Sequence, residues 1–162
     1  TALQQFKDDY DRNQPLWRIL PEFCAAQPKY ERMGLRELCQ AIHQAYAEGD
    51  IARLTTDMYQ SNLQPAMTPT DAYACIAQRK TERVGIDELE GRITTSMLTP
   101  YPPGIPLLIP GECFNRKIVD YLRFTRSFNA RFPGFATDVH GLVHEVDEET
   151  GRGRYYVDCV KQ

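Results

Sequence analysis

The first residues in this 162-residue chain whose type and spacing suggest chemistry are His140 and His144. On a helix, a separation of four would set both imidazoles on one face, ready for a metal ion. The residues around them alternate as a strand does, and Gly141 disfavours a helix. In a strand the two rings share a face but stand about 13 Å apart, too far for one ion, so no metal ligand is expected. Asp87, Glu88 and Glu90 could supply an acid and a base, but three acids ahead of Arg92 near a turn read better as a solvated face. Cys24, Cys39, Cys75, Cys113 and Cys159 are odd in number, widely spaced and without a C-x-x-C pair. That argues against a disulfide framework or zinc cage and for reduced, packed thiols.

Arg116, Lys117, Arg123, Arg126 and Arg131 could track phosphates, since only Asp120 opposes them along their stretch. No aromatic residue interleaves them for base stacking, and the net charge of −3 gives no general attraction to nucleic acid or to an anionic membrane. Pro103 and Pro106 match P-x-x-P, yet flanking Leu and Ile favour burial over recognition by a polyproline-binding groove. Signatures of nucleophilic serine, phosphate-binding and dinucleotide-binding sites are missing. No window approaches the ~18 apolar residues of a membrane span, and the amino end lacks the pattern of a signal peptide, so a cytoplasmic location is expected. Residue 1 is threonine, which points to a piece of something longer.

The elements that must carry these residues begin with helices. Residues 2–12 predict a helix with Leu3, Phe6 and Tyr10 on one face, ending near Asn13. LWRILPEFCAA predicts a short helical stretch broken at Pro21. Residues 34–48 predict the clearest helix, with Leu35, Leu38, Cys39, Ile42 and Tyr46 forming a core stripe and Gly49 the stop. Residues 50–62 continue helically, and Thr68, Pro69 and Asp71 signal another helix start, for residues 69–79. TERVGID reads as a short extended run. Residues 115–132 predict an amphipathic helix whose apolar side is Ile118, Tyr121, Leu122, Phe128 and Phe132, and residues 135–161 a hairpin turning within Glu149 to Gly153. The composition shift near Pro65 divides a helical segment, 1–64, from an α+β part, 65–162: a small mixed or antiparallel sheet covered by amphipathic helices.

One stretch resists this reading. TPYPPGIPLLIPGE, residues 99–112, sets prolines and glycines around Ile105, Leu107, Leu108 and Ile109. A helix cannot form there, and a central strand would lose ladder bonds at Pro103, Pro106 and Pro110, so a shaped, buried connection is expected. The prolines pre-set φ while Gly104 and Gly111 take the bends.

Gly91-Arg92, the run Pro100, Tyr101, Pro102, Pro103, Gly104, Ile105, Pro106, the triplet Pro110-Gly111-Glu112, Pro133-Gly134-Phe135 and His140-Gly141 occur in one order. In that order and spacing the chain resembles the C-terminal domain of bacterial ornithine/lysine/arginine decarboxylases. ERMGLRELCQAIH also resembles the family's segment joining this domain to the cofactor core. The family commonly has a glutamate where Ala136 stands, and the link from Glu112 to the next helix is short here. The resemblance implies a parent enzyme that decarboxylates a basic amino acid on pyridoxal phosphate. It implies as partners the parent's cofactor core and its dimer mate, with higher homo-oligomers, and a structural or active-site-entrance role for Gly91, Arg92, Pro100, Tyr101, Pro102, Pro103, Gly104, Pro106, Pro110, Gly111, Glu112 and His140. Neither catalytic nor cofactor-binding residues are expected in this chain: Lys7, Lys29, Lys80, Lys117 and Lys161 lie outside the family's S-x-H-K setting. The competing reading is a stand-alone interaction module that docks through a hairpin edge or the basic helix.

Overall fold

The computed structural model describes residues 1–146 and 153–162. They form two compact units, residues 1–50 with 132–135, and residues 51–131 with 136–162. The composition shift near Pro65 falls inside the second.

The first unit holds α1 (Ala2–Asp11), α2 (Leu16–Ile19), α3 (Pro21–Ala26) and α4 (Leu35–Glu48). Leu20, between α2 and α3, keeps neither helix going, as Pro21 dictates. The Asn13 side chain accepts from the Glu37 N–H at 3.2 Å and the Glu37 carboxylate accepts from the Gly34 N–H at 3.3 Å, so orphan donors at the start of α4 are met. Leu35, Leu38 and Ala45 turn inward, while Cys39, Ile42 and Tyr46 are only half-buried. Tyr30 is fully buried, its hydroxyl donates to the Pro133 carbonyl at 2.9 Å, and Phe23 and Phe135 pack on its ring. No residue of α1 is buried.

The second unit holds α5 (Ile51–Gln60), α6 (Pro69–Ala77), β1 (Thr81–Gly85), β2 (Thr99–Tyr101), α7 (Arg116–Arg131), β3 (Asp138–His140), β4 (Val143–Val146) and β5 (Gly153–Val160). Thr68 caps α6 by accepting from the Asp71 N–H. One antiparallel sheet runs β1-β5-β4, with Val84 opposite Val157, and a second, two-stranded one pairs β2 with β3. The fold is thus α+β with small antiparallel sheets, as the periodicities predict. The expected hairpin is present as β4 and β5, and its turn lies outside the described residues. Its first arm is shorter than expected, because 138–140 leaves to pair with β2.

The core of this unit gathers Val84, Leu89, Leu98, Leu108, Phe114, Ile118, Leu122, Val139, Val157 and Cys159. α7 buries Ile118, Tyr121, Leu122 and Phe128 of the predicted apolar side, plus Val119 and Thr125, while Phe132 falls beyond its end and belongs to the first unit. Each large side chain buried here contributes about 1.5–3 kcal/mol of transfer free energy.

Candidate functional site

The proline-rich stretch is the end of a long irregular ribbon. The N–H of Phe114 donates to Arg92 O at 2.9 Å, that of Thr94 to Glu112 O at 3.0 Å, that of Gly111 to Thr94 O at 2.9 Å and that of Leu98 to Leu108 O at 2.9 Å. Residues 91–98 therefore run antiparallel to 107–114, and bridges at Ile93–Cys113 and Leu98–Leu108 hold one register. In this register Gly91 and Arg92 stand opposite Asn115 and Phe114, while Pro110, Gly111 and Glu112 stand opposite Ser96, Thr95 and Thr94. Pro102, Pro103 and Pro106 lie beyond the last bridge of the ribbon, whereas Pro110 lies within it, opposite Ser96.

The expectation of burial is right for the base and wrong for the tip. Pro100, Leu107, Leu108 and Gly111 are buried, whereas Tyr101, Pro102, Pro103, Gly104, Ile105, Pro106 and Ile109 are exposed. The P-x-x-P pair is likewise in the open. The cause is the pleat: Leu98 and Pro100 point into the core, so the chain beyond Tyr101 leaves it. The peptide bonds before Pro102 and Pro103 are cis, and the Gly104 N–H returns to Pro100 O at 2.8 Å to close the turn. The Tyr59 hydroxyl, which burial holds above its ordinary pKa, donates to Ile105 O at 3.2 Å.

His140 joins the tip through the β2–β3 pair, opposite Thr99, while Asp138 stands opposite Tyr101. His140 Nε2 lies 3.4 Å from Asp138 Oδ2, with both side chains exposed. His144 belongs to the other sheet, where its ring stacks on Tyr155 at 4.5 Å, so the two histidines do not share a strand. Among the described residues no group of three His, Cys, Asp or Glu side chains is placed to hold a metal ion.

Arg92 sits deeper. It donates to Glu82 and, at 3.2 Å, to the Val160 carbonyl, and its hydrogen bond holds the Glu82 carboxyl below the ordinary range. This fastens the ribbon base to the end of β5, as do the Thr95 hydroxyl, 2.7 Å from Asp158 O, and the Gln162 amide, 3.3 Å from Gly91 O. Glu112 accepts from the Ile109 N–H at 2.8 Å. Arg92 thus holds the end of β5, and Glu112 the ribbon's own backbone.

The acids and arginines, expected as separate solvated faces, meet each other. Asp87 receives Arg126 at 2.6 and 3.2 Å and Arg123 at 3.0 Å, and Arg116 reaches Glu90 at 3.4 Å and Asp120 at 3.2 Å. A phosphate backbone would have to compete with these carboxylates.

In the first unit, Cys39 and His43, one turn apart on α4, line a concavity with Tyr10 and Gln40. Burial raises the Cys39 thiol above its ordinary pKa and pushes Cys159 up to about 12, the reverse of an activated nucleophile. All five lysines are exposed, unlike the dry setting that a Schiff-base lysine needs.

The match to known proteins accords with this architecture. Residues 52–161 match the family model described as Orn/Lys/Arg decarboxylase, C-terminal domain. The whole chain is 46% identical to lysine decarboxylase LdcA of Pseudomonas aeruginosa, and 99% of it is 36% identical to the biodegradative arginine decarboxylase of Escherichia coli. Over 98% of the chain, the solved lysine decarboxylase A from Pseudomonas aeruginosa superposes with a TM-score of 0.89 at 45% identity, covering 22% of that chain; the constitutive lysine decarboxylase of Escherichia coli superposes at 0.87 and 33%, again over 22% of its own chain. The chain belongs to the ornithine/lysine/arginine decarboxylase family, as the C-terminal domain. It spans 22% of the Pseudomonas relative and 21% of the arginine decarboxylase, and so matches them as one domain of a larger enzyme. No helix among the described residues is long and apolar enough to cross a membrane.

Proposed function

We propose that this chain is the non-catalytic C-terminal domain of an enzyme that removes the α-carboxylate of a basic amino acid, with lysine first among the substrates. The observation that carries the reading is the 46% identity to a lysine decarboxylase along the full chain, beside 36% to an arginine, 34% to other lysine and 31% to an ornithine decarboxylase. The exposure of all five lysines supports placing the chemistry, and the pyridoxal phosphate that supplies an electron sink for it, outside residues 1–162. The domain's own work is then to pack on the cofactor core, to support oligomerisation and to shape the active-site entrance.

The test is to express the parent reading frame and residues 1–162 side by side and to follow carbon dioxide and amine release from lysine, arginine and ornithine. Release by the parent, fastest with lysine, and none by residues 1–162 is the expected result. Turnover by residues 1–162 alone would refute the reading.

A further inference from the structure

Of the five cysteines, Cys39 alone has a histidine four residues further on, His43. Both lie within α4, where that separation sets two side chains on one face, one above the other, with Cβ atoms about 5–6 Å apart. Cys39 is half-buried and His43 exposed, and together with Gln40 and with Tyr10 of α1 they line one concavity of the first unit.

The donors select the ligand. Thiolate sulfur and imidazole nitrogen suit soft and borderline metal ions, and bonds of about 2.0–2.3 Å let a single ion bridge side chains at this spacing. Among the described residues no carboxylate lines the concavity, so Mg2+ or Ca2+ would find none of the charged oxygen that holds it. A structural Zn2+ takes four ligands, and among the described residues no group of three His, Cys, Asp or Glu side chains is placed to supply them. A monovalent thiophilic ion, stable with two ligands in a line, is satisfied by the pair alone.

We propose that Cys39 and His43 clip a soft monovalent metal ion of the Cu(I) class between the sulfur and an imidazole nitrogen. The ion takes the place of the thiol proton, which leaves to solvent, and accepts a lone pair from the imidazole, with no change of oxidation state. Burial raises the thiol pKa and makes Cys39 a poor nucleophile, but a metal that displaces the proton needs no activated thiol. Tyr10 closes the concavity from α1, so the bound ion lies between α1 and α4.

The test uses the intact parent enzyme in buffer free of chloride and thiols. Ag+, a redox-inert ion of the same class, is titrated while N-ethylmaleimide labelling of Cys39 is followed by peptide mass spectrometry. Cys39 should be protected, and His43→Ala should need at least tenfold more Ag+ for the same protection. An unchanged requirement in His43→Ala, or a Cys39 that is unreactive before any Ag+ is added, overturns the proposal. Cu(I) itself is then competed against a chromophoric chelator, without oxygen. Cys39→Ser should bind one equivalent less per chain than the unmodified enzyme, and equal binding overturns the clip. Neither measurement needs turnover, so both stand whatever substrate the parent takes.

Discussion

Gly104 and Gly111 both hold positive φ, +80° and +94°, but their surroundings differ. A Cβ at Gly104 would lie 3.3 Å from the Tyr101 ring, while one at Gly111 would lie 2.3 Å from the Met67 carbonyl oxygen. At Gly104 the backbone conformation is the main cost, so Gly104→Ala should destabilise by about 1 kcal/mol and the branched Gly104→Val by more. Gly111→Ala adds a collision with backbone that accepts no easy shift, because the Ala66 and Met67 N–H groups both donate to Gly111 O. It should cost about 3 kcal/mol or more. Urea unfolding midpoints of the three variants check the order, and equal effects at 104 and 111 would contradict it. The sequence marks both glycines as bends, but only the close approach of residue 67, remote in sequence, makes one of them indispensable.

At the scale of elements, helix α7 shows what periodicity reveals and what it hides. Its apolar spacing predicts the buried face, and Arg116, Arg123 and Arg126 do lie on the other side. That these arginines are held by Asp87 and Glu90 was hidden, because the turn carrying the acids is about 30 residues away and charge spacing along one helix reports nothing across that gap. The hydrogen bond from Arg126, then those from Arg123, hold the Asp87 carboxyl below its ordinary value of 3.8. A carboxyl depressed in the folded state stabilises fully above the unfolded value and loses that contribution as the pH falls through the folded one. Asp87 is 55% exposed, so solvent screening limits the effect to about 0.5 kcal/mol. Asp87→Asn should therefore lower the thermal midpoint slightly at neutral pH, with the gap to the unmodified chain closing well below pH 3.8. A gap that persists in acid would show that packing rather than charge is responsible. Asn115 was also hidden by sequence: its side chain accepts from the Ile118 N–H at 3.0 Å and donates to Ser61 at 2.9 Å. Asn115→Ala should cost about 1 kcal/mol, as loss of a helix cap does, measured by denaturant unfolding.

At the scale of the whole molecule, element types were legible and their partnership was not. Alternation in 138–146 reads as one strand, but the break at Gly141 sends 138–140 to β2 and 143–146 to β5, a division only tertiary pairing can make. The burial of the ribbon tip was misjudged for the same reason, since apolar composition cannot tell a buried wall from an exposed turn. β5 is the element on which the second unit depends: it lies between β1 and β4, buries Val157 and Cys159 completely, and receives Thr95 and Arg92. Deleting residues 155–162 should abolish cooperative unfolding followed by circular dichroism, whereas deleting Lys161 and Gln162 should shift the midpoint only modestly. The position of β5 also sets a timetable for biosynthesis. At ~5–20 residues per second, β1 leaves the ribosome several seconds before the strand that must lie beside it. Throughout that interval the nascent polypeptide carries an unpaired edge, which is where a chaperone would be needed.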